Sequence, residues 1–115
     1  MQVTENYTFD NLAPIELLVG DTVQLGEMTD PSGPYPNWIH CVLPRTGRKG
    51  WVATDILEIN GDSGKAICNY TAKEMTVLIG DIVDTQYELN GWYWCIRQHD
   101  SEQGWIDKKI LECVK

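Results

Sequence analysis

Residues 50–59 read GWVATDILEI and residues 104–113 read GWIDKKILEC. A chain that states one ten-residue pattern twice, 54 positions apart, is built from a repeated structural unit. The correspondence reaches well beyond the decamers. Gly20-Asp21 matches Gly80-Asp81 at an offset of 60, with apolar-rich runs on both sides of each pair. Asn6-Tyr7-Thr8 matches Asn69-Tyr70-Thr71 at an offset of 63, and residues 37–42 match residues 91–96 at an offset of 54. The two changes of offset mean that the first copy is longer in two places. It has three more residues between its Tyr and its Gly-Asp, and six more between its Gly-Asp and its Trp. The six fall in GEMTDPSGPYPN, residues 26–37, a Pro- and Gly-rich stretch that reads as a surface loop. Between the copies, residues 60–65 (NGDSGK) are short and polar and are expected to be a linker.

Within each copy no segment keeps a 3.6-residue period. Short runs of Val, Ile, Trp and Tyr alternate with turn residues, which predicts an all-β fold of about five strands per copy. So few short strands bury a core only by curling into a small barrel. Parity along the strands gives an expected interior of Ile15, Leu17, Val23, Leu25, Cys41, Val52 and Leu57 in the first copy. Its counterpart is Met75, Val77, Val83, Cys95, Ile106 and Leu111. A unit of this size buries only about 60% of its unfolded surface, so two such units gain from supporting one another.

The order of residues in each copy is Tyr, an apolar-x-apolar pair, Gly-Asp, Trp, Gly-Trp and a short turn ending in an apolar pair. That order resembles the SH3 (Src-homology-3) family, including its bacterial variants. The resemblance implies two tandem five-stranded barrels. Residues 1–59 would form the first, with its long second loop at 26–37; residues 60–65 would be the linker; residues 66–115 would form the second, with a shortened first loop. It also implies binding of extended, proline-rich peptides on a groove of aromatic side chains. Carried onto this sequence, the ligand- or peptide-binding residues are Tyr7 and Trp38 in the first copy and Tyr70 and Trp92 in the second. Trp94, two residues after Trp92, shares its face of a strand. Other positions of the family's groove are lost. Glu5, Ala53 and Ile56 stand there in the first copy, and Cys68, Asp107 and Ile110 in the second.

The remaining chemistry is sparse. The four Cys form no CxxC and the two His sit at no metal-ligand spacing, so neither a metal nor another cofactor is expected. Cys41 and Cys95 fall on equivalent interior positions. Cys68 and Cys113 fall on the first and last strands of the second copy, which the resembled fold would bring near enough for a disulfide. No nucleophile elbow, phosphate loop or pair of carboxylates facing one pocket is visible, so no catalytic residue is assigned and an enzyme is not expected. A formal net charge of −8 disfavours nucleic acid and anionic membrane surfaces as partners. No apolar run is long enough to span a bilayer, and no basic region followed by an apolar stretch opens the sequence, which points to the cytoplasm. The expected function is a non-enzymatic protein or peptide interaction module with a degenerate groove and a partner of basic or proline-containing character. The alternative is a bacterial SH3-type module that binds cell-wall peptides or glycans.

Overall fold

The computed structural model describes residues 1–114. Their regular structure is all β apart from two single-turn 3₁₀ segments, Thr54–Ile56 and Lys108–Ile110. The strands are β1 (Gln2–Val3), β2 (Glu16–Leu17), β3 (Thr22–Met28), β4 (Trp38–Val42), β5 (Lys49–Ala53) and β6 (Leu57–Asn60). They continue as β7 (Ser63–Ala66), β8 (Tyr70–Thr71), β9 (Val83–Leu89), β10 (Trp92–Arg97), β11 (Gln103–Asp107) and β12 (Leu111–Glu112).

The chain divides into two compact units. One is Asn11–Ala72. The other joins Met1–Asp10 to the chain from Lys73 onward. This division departs from the boundaries read in the sequence. Residues 60–65 are not a linker: β6 and β7 form a hairpin closed by Gly61-Asp62, with Asn60 opposite Ser63 and Leu57 opposite Ala66. The hairpin returns the first segment of the second copy onto the first copy, where β7 also pairs with β3. The first segment of the first copy is used in the other unit, where β1 pairs with β12.

The two exchanged segments make matching contacts. Gly20 N–H donates to the Ala66 carbonyl and Ala66 N–H to the Asp21 carbonyl, each at 2.8 Å. Gly80 N–H donates to Val3 and Val3 N–H to Asp81, each at 2.9 Å. Asn69 Oδ1 accepts from Val19 N–H as Asn6 Oδ1 accepts from Ile79 N–H, each at 2.8 Å. Leu17 pairs with Tyr70, and Val77 with Tyr7. Each repeated Asn-Tyr therefore docks on the repeated Gly-Asp of the opposite copy.

The Gly-Asp pairs themselves form turns. Gly20 and Gly80 have φ of 92° and 93°, the positive value that the third residue of a type II turn requires. In the first turn Asp21 Oδ2 accepts from Leu18 N–H at 2.8 Å, and in the second Asp81 Oδ2 accepts from Leu78 N–H at 3.0 Å. Two arginines, Arg45 in the connection from β4 to β5 and Arg97 at the end of β10, reach the same aspartates. Arg45 Nη2 lies 2.8 Å from Asp21 Oδ2, and the largely buried Arg97 spans Asp81, Asp100 and the Thr76 carbonyl. Asp81 is thus an anchor for two elements rather than simply a solvated charge.

Unit Asn11–Ala72 contains a five-stranded sheet of order β5-β4-β3-β7-β6 and the pair β2-β8. The other unit contains the sheet β11-β10-β9 and the pair β1-β12. The sheets are not closed barrels. In the five-stranded sheet the 3₁₀ turn Thr54–Ile56 separates the edge strands β5 and β6, which are not paired with each other. The expected loop 26–37 is shorter than anticipated, because β3 continues to Met28.

Val3, Met75, Val77, Val83, Cys95 and Ile106 form one buried cluster, with Met1, Tyr93, Ile110 and Leu111 packed against it. Burying one such side chain stabilises by about 1.5–3 kcal/mol, so the N-terminal segment is an integral part of the unit begun by Lys73. In Asn11–Ala72 the buried set includes Ile15, Leu17, Val23, Cys41, Leu43, Val52, Leu57 and Ala66. No helix among the described residues is long and apolar enough to cross a membrane.

Candidate functional site

In the unit that contains the N-terminus, three elements bring polar and aromatic groups together. Tyr7 and Val77 exchange backbone hydrogen bonds, each 2.9 Å. This leaves the Tyr7 ring 37% exposed, and its hydroxyl donates to Glu74 Oε1. Glu74 is held in place by a parallel bridge to Trp105 of β11, where Met75 N–H donates to the Trp105 carbonyl at 3.0 Å. Asp107 ends β11 opposite Trp92 of β10, and residues directly opposite share a face. Its carboxylate caps the following 3₁₀ turn by accepting from Lys109 N–H at 3.0 Å.

Burial and the crowding of negative charge govern the protonation of this cluster. Burial pushes the Tyr7 hydroxyl well above its ordinary range, and its hydrogen bond to Glu74 and the charges of Glu74, Asp10 and Asp107 push it further. Burial raises the Glu74 carboxyl and Asp107 adds to that, while the Tyr7 hydrogen bond opposes it. An aromatic ring, a half-buried carboxylate and a second carboxylate beside an indole form a surface suited to a cation. Arg or Lys would meet both charge and π-face there.

Trp94 lies on the same strand face as Trp92, and Tyr93 turns to the other side against the buried cluster. Trp94 is directly opposite Trp105, their rings edge-to-face at 5.3 Å, and Tyr87 meets Trp105 in the same manner at 5.6 Å. Trp94 Nε1 donates to Gln103 Oε1 at 3.2 Å. Trp105 is only 5% exposed beneath these neighbours.

Unit Asn11–Ala72 holds the other two expected residues in a different setting. Trp38 is 8% exposed, and its indole N–H has no hydrogen-bond partner among the described residues. The Tyr70 hydroxyl donates to the Trp51 carbonyl at 3.2 Å. Trp51 stands edge-to-face with His40 at 5.4 Å, the position-for-position counterpart of Trp105 with Trp94. The acids have no counterpart: Pro14 and Ala53 occupy the positions of Glu74 and Asp107.

The five residues expected from the sequence are thus divided. Tyr7, Trp92 and Trp94 belong to one unit, and Trp38 and Tyr70 to the other. The family model for variant SH3 domains matches residues 1–60. The chain belongs to this family. The match ends at Asn60, the last residue before the β6–β7 turn, so it covers the first copy as written in the sequence. Neither a curated protein nor a solved structure matches the chain. SH3-type domains are in general non-catalytic modules that bind proteins or peptides.

Sequence reasoning missed Glu74 and Trp105. Trp105 had a signal: in the repeated Gly-Trp pair, cross-strand parity sets it against Trp94. Glu74 had none nearby, because the hydroxyl it binds is 67 residues away. The four thiols are free, with Cys41 and Cys95 buried and Cys68 and Cys113 exposed, so the disulfide considered for the latter pair is not formed.

Proposed function

We propose that the chain is a non-enzymatic interaction module of two SH3-like units. In this reading, the surface formed by Tyr7, Glu74, Trp92 and Asp107 binds an extended peptide carrying Lys or Arg. One observation carries this proposal: Glu74 accepts from the Tyr7 hydroxyl and Asp107 stands opposite Trp92, whereas the corresponding acid positions of the other unit are Pro14 and Ala53. SH3-like recognition then survives in one unit, with Trp92 as the aromatic wall and the carboxylates supplying charge. The net charge of −8 would steer a basic partner toward it and raise the association rate more than the affinity. The cytoplasm, where such a partner would be met, belongs to the same proposal.

The test is an NMR titration of the full chain with a proline-containing peptide bearing one Arg, and with the same peptide bearing Glu instead. The Arg peptide should shift the indole signal of Trp92 and leave that of Trp38 in place. Glu74→Gln and Trp92→Ala should each weaken it about tenfold, the scale of one charge-assisted contact or one aromatic anchor. Equal binding of the two peptides, or shifts centred on Trp38, would overturn the assignment. Soluble peptidoglycan fragments titrated in parallel test the cell-wall reading.

A further inference from the structure

Residues 1–10 and 63–72 play the same part in the two units but are tied to the chain very differently. The second segment follows β6 through two residues, Gly61 and Asp62, and cannot leave without breaking the β6–β7 pairing. The first is joined to the rest of the described residues through residues 11–14, which lie outside every strand. Within that connection Leu12 is 99% exposed.

Residues 1–10 make their non-local contacts within the unit that begins at Lys73. Val3 bonds Gly80 and Asp81, Thr4 bonds Ile110, Asn6 bonds Ile79 and Tyr7 bonds Val77. These contacts span some 70 or more residues of sequence, so the same bonds form whether the acceptor edge belongs to the same chain or to another copy. The corresponding edge within residues 11–62 is already filled by 63–72. Val3 is fully buried among Met75, Val77, Val83, Cys95 and Ile106, so a released segment gains by finding another such edge.

We propose that two copies of the chain dimerise by exchanging residues 1–10, each segment completing the Lys73-onward unit of the other. An identical element exchanged about a short connection reproduces every native contact and leaves the hinge as the only new conformation. Tyr7 travels with the segment. The dimer therefore carries composite surfaces, with Tyr7 from one protomer beside Glu74, Trp92 and Asp107 of the other. The exchange itself does not depend on what those surfaces bind.

The test uses two full-length variants. Val3→Asp disables the segment and Val77→Asp disables the acceptor edge. Each alone should lose the Trp92, Trp94 and Trp105 indole signals and keep those of Trp38 and Trp51. When the two are unfolded together in urea and refolded at equal concentration, the intact segment of one can enter the intact edge of the other. Light scattering should then find a heterodimer in which the three lost signals return at half intensity. A mixture that stays monomeric without those signals would overturn the proposal. A second measurement covers variants that fail to fold. Deleting Leu12 and Ala13 from the otherwise unchanged chain shortens the connection, and a strained hinge favours exchange. The dimer fraction at fixed concentration should rise at least tenfold. A chain so shortened that remains monomeric with all its indole signals would refute the exchange.

Discussion

Adding one methyl group at Gly104 should damage the chain more than adding it at Gly50, although the two glycines occupy equivalent positions opposite Cys95 and Cys41. A Cβ built on Gly104 lies 3.0 Å from the Glu74 carbonyl carbon and the Met75 nitrogen, and 3.2 Å from the Glu74 oxygen. Those are backbone atoms held by the bridge between Glu74 and Trp105, so relief requires one strand to move. A Cβ on Gly50 meets Ile15 Cγ2 at 3.0 Å and otherwise has room. Relief there needs only a twist of one side chain, about 0.5–1.5 kcal/mol for an off-rotamer angle. Overpacking against an unyielding neighbour costs about 1–3 kcal/mol. Both substitutions regain about 0.5–1 kcal/mol, because alanine loses less backbone freedom than glycine on folding. The net expectation is a loss of up to about 2.5 kcal/mol for Gly104→Ala, and between a gain of about 0.5 and a loss of about 1 kcal/mol for Gly50→Ala. In units of this size, 1 kcal/mol moves Tm by about 4–8 °C. Thermal unfolding followed by residue-specific NMR reads the two units separately. Gly104→Ala should also displace Glu74 from Tyr7 and weaken the basic peptide, and Gly50→Ala should not. The reasoning fails if Gly50→Ala loses as much stability as Gly104→Ala, or if Gly104→Ala raises Tm.

Val3→Ala should cost about 2 kcal/mol, two buried methyl groups at about 0.8 kcal/mol each plus a small cavity. Hydrogen exchange should show the loss in residues 73–113 and leave residues 15–66 unchanged; a loss confined to 15–60 would contradict the exchanged pairing. Because the Glu74 carboxyl is raised above its ordinary 4.5, the folded chain takes up this proton at a higher pH than the unfolded chain does. Lowering the pH through that window therefore favours the fold at this group and removes the charge that a basic peptide needs. Affinity measured by calorimetry should fall as the pH drops toward and below the window, and Glu74→Gln should flatten the profile. Burial pushes the Cys41 and Cys95 thiols up to about 11 and about 12, so at pH 8 a colorimetric thiol reagent should count two fast cysteines, Cys68 and Cys113. Four fast cysteines in the folded chain would contradict that burial.

Much of the local structure was legible because it depends on near neighbours. Strand parity placed Ile15, Leu17, Val23, Cys41, Met75, Val77, Val83 and Cys95 in the interior, and all are buried; Leu25, where the β3–β4 register shifts, and Leu111, at the start of the two-residue β12, are only half-buried. Gly20-Asp21 and Gly80-Asp81 announced their turns because a positive φ and an aspartate cap are both local requirements. The partner of residues 1–10 was not legible, for a reason that lies in the repeat. Asn6-Tyr7 and Asn69-Tyr70 carry the same pattern, so either suits either acceptor edge. The choice is made by the two-residue turn at Gly61-Asp62, which in composition looks like a linker. The candidate surface was half legible. Tyr7 and Trp92 followed from the repeat and the family pattern, but the acidic character came from Glu74, whose partner is remote in sequence. The burial of Trp38 was equally hidden, since it and Trp92 hold the same place in the repeat.

The exchanged segments also bear on how the chain is made. Residues 1–10 leave the ribosome before residues 73–112, yet those later residues contain the edge they need. At translation rates of about 5–20 residues per second the wait is about 5–20 s, far longer than the microseconds in which a hairpin closes. During that interval the nascent chain completes Asn11–Ala72, a contiguous stretch that contains all of its own strands. Residues 1–10 are therefore synthesised before residues 11–72 but placed after them, and residues 73–112 decide when their unit is complete.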